Sequence, residues 1–202
     1  NHTASLGIDL PCDDHVLPAA ESPLSTPLDI IKLNGKTAGN RIAIHPMEGW
    51  DGTKTGGVTK EMKRRWQRFG MSGAKLILGG EAMAVRHDGR ANPNQLIISN
   101  ENKSEIAGLL ELLLDSHQEK YDTTEDLVVG FQLTHSGRFC RPNEHSQFEP
   151  RVAYRHPILD SKFKVTSDKQ LWTDDEIDEL VQCYIRAARI AADIGADFVD
   201  IK

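Results

Sequence analysis

Apolar positions along this chain recur in two rhythms, separated by stretches with neither. Residues 1–26 are rich in Pro, Ser, Asp and Ala and have no period, which predicts an extended or disordered arm. Asp29-Ile30-Ile31-Lys32-Leu33, then Asn34-Gly35, then Lys36 to Gly39, reads as a hairpin, because Asn-Gly readily adopts the positive φ of a tight hairpin turn. Short apolar runs follow at Arg41–Ile44, Lys75–Leu78, Leu127–Leu133 and Phe198–Ile201, each the length of a buried strand. Pro46 cannot donate to a ladder and stops the first of these.

Between the strands the apolar period lengthens to that of a helix. Thr59 caps a helix to about Met71, with Met62, Trp66 and Phe69 inward and Lys60, Lys63, Arg64, Arg65 and Arg68 forming a solvated face. Asn102-x-x-Glu105 has the pattern of a capping box opening a helix to about Lys120. Thr173-Asp174-Asp175-Glu176 is a full capping box, with Trp172 and Ile177 at staple positions. It starts a helix whose apolar face runs from Ile177 to Ile194 and which Gly195 ends. A polar loop is expected up to Pro93, and a long irregular stretch from Gly137 to Leu171.

The order is hairpin, then β-α-β-α-β-α-β, which predicts an α/β fold with a parallel sheet. Both a (β/α)8 barrel and a doubly wound sheet fit. No G-x-G-x-x-G follows the first strand, which counts against dinucleotide binding of the second kind. Four strands are half of a barrel, and the chain stops on a strand pattern at Ile201-Lys202, so it is expected to be a truncated half barrel, inactive alone.

Composition narrows the function classes. The 202 residues carry a net charge of −6 with 27% charged and 39% hydrophobic positions, which suits a globular core and argues against a nucleic-acid partner. No apolar run is long enough for a membrane span. Cys12, Cys140 and Cys183 are scattered and include no C-x-x-C pair, so reduced thiols in a cytoplasmic protein are expected, with no metal site. His87, His117, His145 and His156 also lack metal-ligand spacing.

In a parallel α/β fold, chemistry collects at the carboxyl ends of the strands. Those ends are His45-Pro46-Met47-Glu48-Gly49-Trp50, Gly80-Glu81-Ala82, Gln132-Leu133-Thr134-His135-Ser136-Gly137-Arg138 and Ile201-Lys202. Four motifs here resemble the Old Yellow Enzyme family of FMN-dependent NAD(P)H:flavin oxidoreductases. They are Asn40-Arg41-Ile42 with Pro46-Met47, Leu76 through Glu81-Ala82, Gln132 through Arg138, and Ala187-Ala188 through Ile201. The resemblance covers about residues 25–202 and implies a TIM barrel, with residues 27–202 as the N-terminal part of a flavin-binding domain.

The resemblance also implies roles. Pro46 and Met47 would pack on the flavin, Ala82 would meet the ring edge through its backbone, and Gln132 would read the pyrimidine edge. An amide suits that last task, being donor and acceptor at once; the structural alternative for Gln132 is a buried amide bonded to neighbouring backbone. Two positions depart from the family. Glu48 stands where many relatives have Thr, Cys or Ala, and its carboxyl faces either the flavin or away. Lys202 stands where the family has the first His of a substrate-binding pair, and could donate to a carbonyl. Trp50 is expected to wall the substrate site, and His135 to be structural.

The expected activity passes hydride from NAD(P)H through FMN to an electron-poor small molecule such as an activated alkene. A flavin-free barrel lyase using Lys202 as a Schiff base and a non-catalytic barrel fragment are the alternatives. A homo-oligomer is left open.

Overall fold

The computed structural model describes residues 2–9, 15–33 and 35–202; Cys12 and Asn34 of the expected Asn-Gly turn lie outside them. In the first 26 residues a short helix, α1 (His2–Ser5), and two 3-10 turns are described, with no strand. The hairpin β1 (Leu28–Leu33) and β2 (Lys36–Ala38) is antiparallel. It sits at the amino ends of later strands: Gly39 donates to the Asp126 carbonyl at 2.9 Å, and Lys36 pairs with Asp197 at 3.1 Å.

A parallel sheet follows in the order β3 (Ala43–Ile44), β4 (Leu76–Ala84), β5 (Val128–Thr134), β6 (Phe198–Ile201). β3 is shorter than the run Arg41–Ile44. The Asn40 side chain replaces part of the ladder, accepting from Ile42 N at 3.1 Å and Lys75 N at 3.2 Å and donating to the Gly73 carbonyl at 2.8 Å.

β4 is longer than expected. Its register against β5 jumps between Gly79, opposite Phe131, and Ala82, opposite Gln132, so Gly80 and Glu81 are a bulged pair. Gly79 and Gly80 have φ of 94° and 45°, where a side chain would be strained. Beyond the bulge, Met83 and Ala84 rejoin the sheet and are buried.

Helices α2 (Lys60–Met71), α3 (Lys103–Tyr121) and α5 (Asp174–Ile194) cover one face. Trp66 of α2 is fully buried and meets Phe131 edge-on at 6.0 Å, amid Ile77, Ile106, Leu109, Leu113 and Val129. Thr59 and Thr173 cap α2 and α5 as expected, the latter in a complete capping box with Glu176, and Gly195 closes α5 at φ 103°.

The capping box expected at α3 is absent. Asn102 has φ −99° and ψ −2°, so its side chain turns back to the Gly56 and Ile97 carbonyls. Glu105 instead accepts from Val58 N at 2.7 Å, tying α3 to the segment that leads into α2. The irregular stretch after β5 holds a further short helix, α4 (Leu159–Phe163).

Candidate active site

The carboxyl ends of the parallel strands border one cavity of about 440 Å³. Glu48 after β3, Thr134 at the end of β5 and Lys202 after β6 line it, with Trp50, His135, Phe139 and Arg141 from the loops. The site is therefore assembled from segments far apart in sequence, as parallel topology requires.

Of the residues singled out in the sequence, Glu48, Trp50 and Lys202 come together here. The Glu48 carboxyl is turned into the cavity, 3.4 Å from Lys202 Nζ, and the two form an ion pair. Trp50 takes a positive φ of 54°, and its ring lies 6.1 Å from that of His145. Two large apolar side chains of the lining stand open, Phe139 at 54% and Trp50 at 51% exposed, and Met47, next to Glu48 in sequence, is 69% exposed.

Gln132 lies two residues before Thr134 on β5 and so shares its face, while Phe131 points to the helices. Ala82, Gln132 and Asp200 stand side by side on β4, β5 and β6. Gln132 Nε2 donates to Asp200 Oδ2 at 2.6 Å, and among the described residues its Oε1 accepts nothing. Ala82 is buried; its carbonyl accepts from Gln95 Nε2 at 2.8 Å, and its N–H faces the Met47 carbonyl at 3.4 Å.

Two arginines hold the surrounding loops. Arg65 belongs to the helix face expected to be solvated, yet it turns inward to bridge Asp51 and Glu81. Glu81, pushed off the ladder by the bulge, is 1% exposed, and its Oε1 accepts from Gly49 N at 3.0 Å. Burial drives its carboxyl up to about 7 against the pull of Arg65 and the Gly49 N–H. A carboxylate this deep needs a cation, and Arg65 has the length to reach it. Arg90, fully buried in the loop after β4, donates to the Lys54, Thr53, Gln95 and Pro93 carbonyls.

His135 is held structurally: Nδ1 accepts from Gly137 N at 3.1 Å, and the ring meets Trp172 edge-on at 5.3 Å.

A sequence profile of the NADH:flavin oxidoreductase / NADH oxidase family matches residues 24–202. The chain belongs to that family. An uncharacterized oxidoreductase from Streptococcus pyogenes serotype M5 (strain Manfredo) is 26% identical over 181 residues, covering 90% of the chain and 42% of the relative. The fold is that of Old Yellow Enzyme from Pichia sp. AKU4542 (TM-score 0.64, 18% identity, 91% of this chain and 46% of that one). It is also that of the old yellow enzyme homologue from Zymomonas mobilis (TM-score 0.65, 23% identity, 89% and 48%). The chain thus spans less than half the length of these relatives, and its sheet is a partial barrel.

Sequence reading missed Asp200, Arg65, Arg90 and Arg141. Asp200 had a signal, a lone acid inside an apolar strand; Arg141 had none, sitting in a stretch without period.

Proposed function

We propose that this protein is an FMN-dependent oxidoreductase that takes hydride from NAD(P)H and delivers it to an electron-poor small molecule such as an activated alkene. Membership of a flavin oxidoreductase family supports this. The observation that carries it at the level of residues is the Gln132 amide, fixed on one side by Asp200 and open on the other, in the face that leads to the cavity.

The groups present fit a flavin ring. Oε1 of Gln132 is free to accept from an imide N–H, and the second Nε2 hydrogen is free to donate to the adjacent carbonyl. Pro46 and the exposed Met47 offer apolar surface for the ring to cover. Ala82 contributes shape, because its backbone groups face Gln95 and Met47. When bound, FMN supplies two-electron transfer between nicotinamide and acceptor. Glu48 sets the local charge, Trp50 walls the acceptor, and Lys202 donates toward its electron-withdrawing group. Residues 27–202 form the flavin-binding portion. The unpaired thiols Cys140 and Cys183 support a reducing, cytoplasmic setting.

The test is titration of FMN with the purified protein, read by quenching of flavin fluorescence, followed by anaerobic bleaching with NADH and NADPH. Gln132→Leu is expected to weaken FMN binding about tenfold, from loss of one or two hydrogen bonds. Absence of saturable quenching, or equal affinity in the variant, would overturn the reading. The Schiff-base alternative predicts borohydride trapping of Lys202 by a carbonyl compound. None is expected, since its ammonium is held by Glu48.

A further inference from the structure

The amino ends of the strands, opposite the cavity, hold a buried polar cluster that the flavin reading leaves unused. Lys75 stands just before β4, Asp126 two residues before β5, and His117 near the end of α3. His117 and Lys75 are both buried. Lys75 Nζ lies 2.9 Å from His117 Nε2 and 2.7 Å from Asp126 Oδ1. His117 Nδ1 lies 2.8 Å from the carbonyl oxygen of Gly70, near the end of α2. The Tyr121 ring covers the imidazole at 4.7 Å, and the Lys120 ammonium is 5.4 Å from the same ring.

These partners settle where the proton sits. A carbonyl only accepts, so Nδ1 carries the hydrogen; an ammonium only donates, so Nε2 presents its lone pair. The imidazole is therefore neutral, in one tautomer. A second proton puts an N–H on Nε2 that points at the Lys75 ammonium, two donors and two like charges in a buried space. Burial, with the Lys75 charge, holds the imidazole below its ordinary 6.5 against the pull of the Gly70 carbonyl and Asp126. His135, also buried, is the opposite case: its Nε2 has the Asp88 carboxylate at 3.8 Å, which favours a proton. The same two residues that face His117 also seat the hairpin. Asn40 Oδ1 accepts from Lys75 N at 3.2 Å, and Gly39 N donates to the Asp126 carbonyl at 2.9 Å. Gly39 lies so close to the Asp126 carboxylate that there is no room for a Cβ between them.

We propose that His117, Lys75 and Asp126 form an acid-released latch under the hairpin: protonation of His117 expels the Lys75 ammonium from between its two partners, and the β1–β2 hairpin loosens at Gly39 before the sheet unfolds. The device is independent of the flavin reading. Its sign follows from the tautomer. The folded protein takes up the His117 proton less readily than the unfolded chain, so the stability the latch gives is complete above pH 6.5 and is lost as pH falls below it. That is the reverse of Glu81, whose folded pKa lies above its ordinary value. Lys36 and Asp197, paired at 3.1 Å on the other side of the hairpin, carry no imidazole and stay closed through the same range.

Three measurements test the latch. Denaturant unfolding between pH 5 and 8 compares wild type with His117→Gln, whose amide donates and accepts but takes up no proton. The folded-to-unfolded ratio of wild type is expected to fall relative to the variant by about tenfold per pH unit below 6.5, until the folded protein also binds the proton. Taking the difference between the two proteins cancels Glu81 and every other group. The imidazole signal of His117, followed by NMR, should titrate below 6.5 in wild type, higher in Lys75→Met and lower still in Asp126→Asn, shifts that a merely structural histidine would not show. Amide exchange, corrected for its intrinsic pH dependence, should speed up at Gly39 in acid while the amides of β5 stay protected. The last two are read in wild type, so they decide the matter even where His117→Gln fails to fold. A His117 signal that titrates at or above 6.5, the same pH profile in wild type and His117→Gln, or Gly39 exchange that tracks β5 at every pH overturns the proposal.

Discussion

Glu48 shows how much one side chain decides at the strand ends. Its carboxylate faces the cavity and is tied to Lys202, so any ring bound against Pro46-Met47 meets an ion pair rather than a lone anion. Replacing Glu48 by Thr removes the negative partner and leaves the ammonium uncompensated. Both changes favour an electron-rich reduced flavin. The flavin potential is expected to rise, by on the order of 1 kcal/mol or about 20 mV for a two-electron couple. Redox titration with a reference dye measures this; an unchanged or lowered potential would show that the carboxylate does not act on the ring. Gln132 was readable in the sequence because it stands at the carboxyl end of a short apolar run, in a motif that resembles the family's. The direction of the Glu48 carboxyl was not, since it depends on Lys202, 154 positions away.

At the scale of elements, the contact that matters most is the one that fixes the loop after β3. Glu81 of β4 takes Gly49 N with one oxygen and Arg65 of α2 with the other, and Arg65 also holds Asp51. Strand, helix and loop are joined through a single buried carboxyl. Its pKa lies near 7 in the fold against 4.5 for the ordinary group, so the folded state holds the proton more tightly than the unfolded chain. The stability this gives is complete below pH 4.5 and is lost as pH rises through about 7. Denaturant unfolding across that range should show wild type losing stability relative to Glu81→Gln, on the order of 1 kcal/mol per pH unit where the slope is steepest. A difference independent of pH would mean that the carboxyl does not titrate in that window. Helical periodicity placed Arg65 on a solvated face, next to the inward Trp66. Periodicity sorts backbone directions, and a side chain of this length can leave its face when a buried charge requires it.

Across the whole molecule, the order of elements and the parallel sheet were legible because each strand is a short apolar run and each long helix has a marked start. The caps of α2 and α5 follow from local sequence. The reassignment of Asn102 and Glu105 does not, since their partners Gly56 and Val58 belong to another segment. The loops that wall the cavity were illegible for the same reason. Arg90 looks like any polar loop residue until four carbonyls from two segments converge on it.

The bulged pair Gly80-Glu81 has a consequence for how this strand can change length over time. Side chains alternate between cavity and helices with a step of two, so the strand counts in even numbers. Losing both residues would bring Ala82 directly after Gly79, still opposite Gln132, and keep every later side chain on its own side. Losing one would turn Ala82 and Ala84 toward the helices and Met83 toward the cavity. Deleting both should therefore give a folded protein whose loop after β3 is unlatched, whereas deleting Gly80 alone should abolish the cooperative melt followed by circular dichroism. Lineages descended from such a chain would be free to shed or gain residues here in pairs, with single steps closed to them.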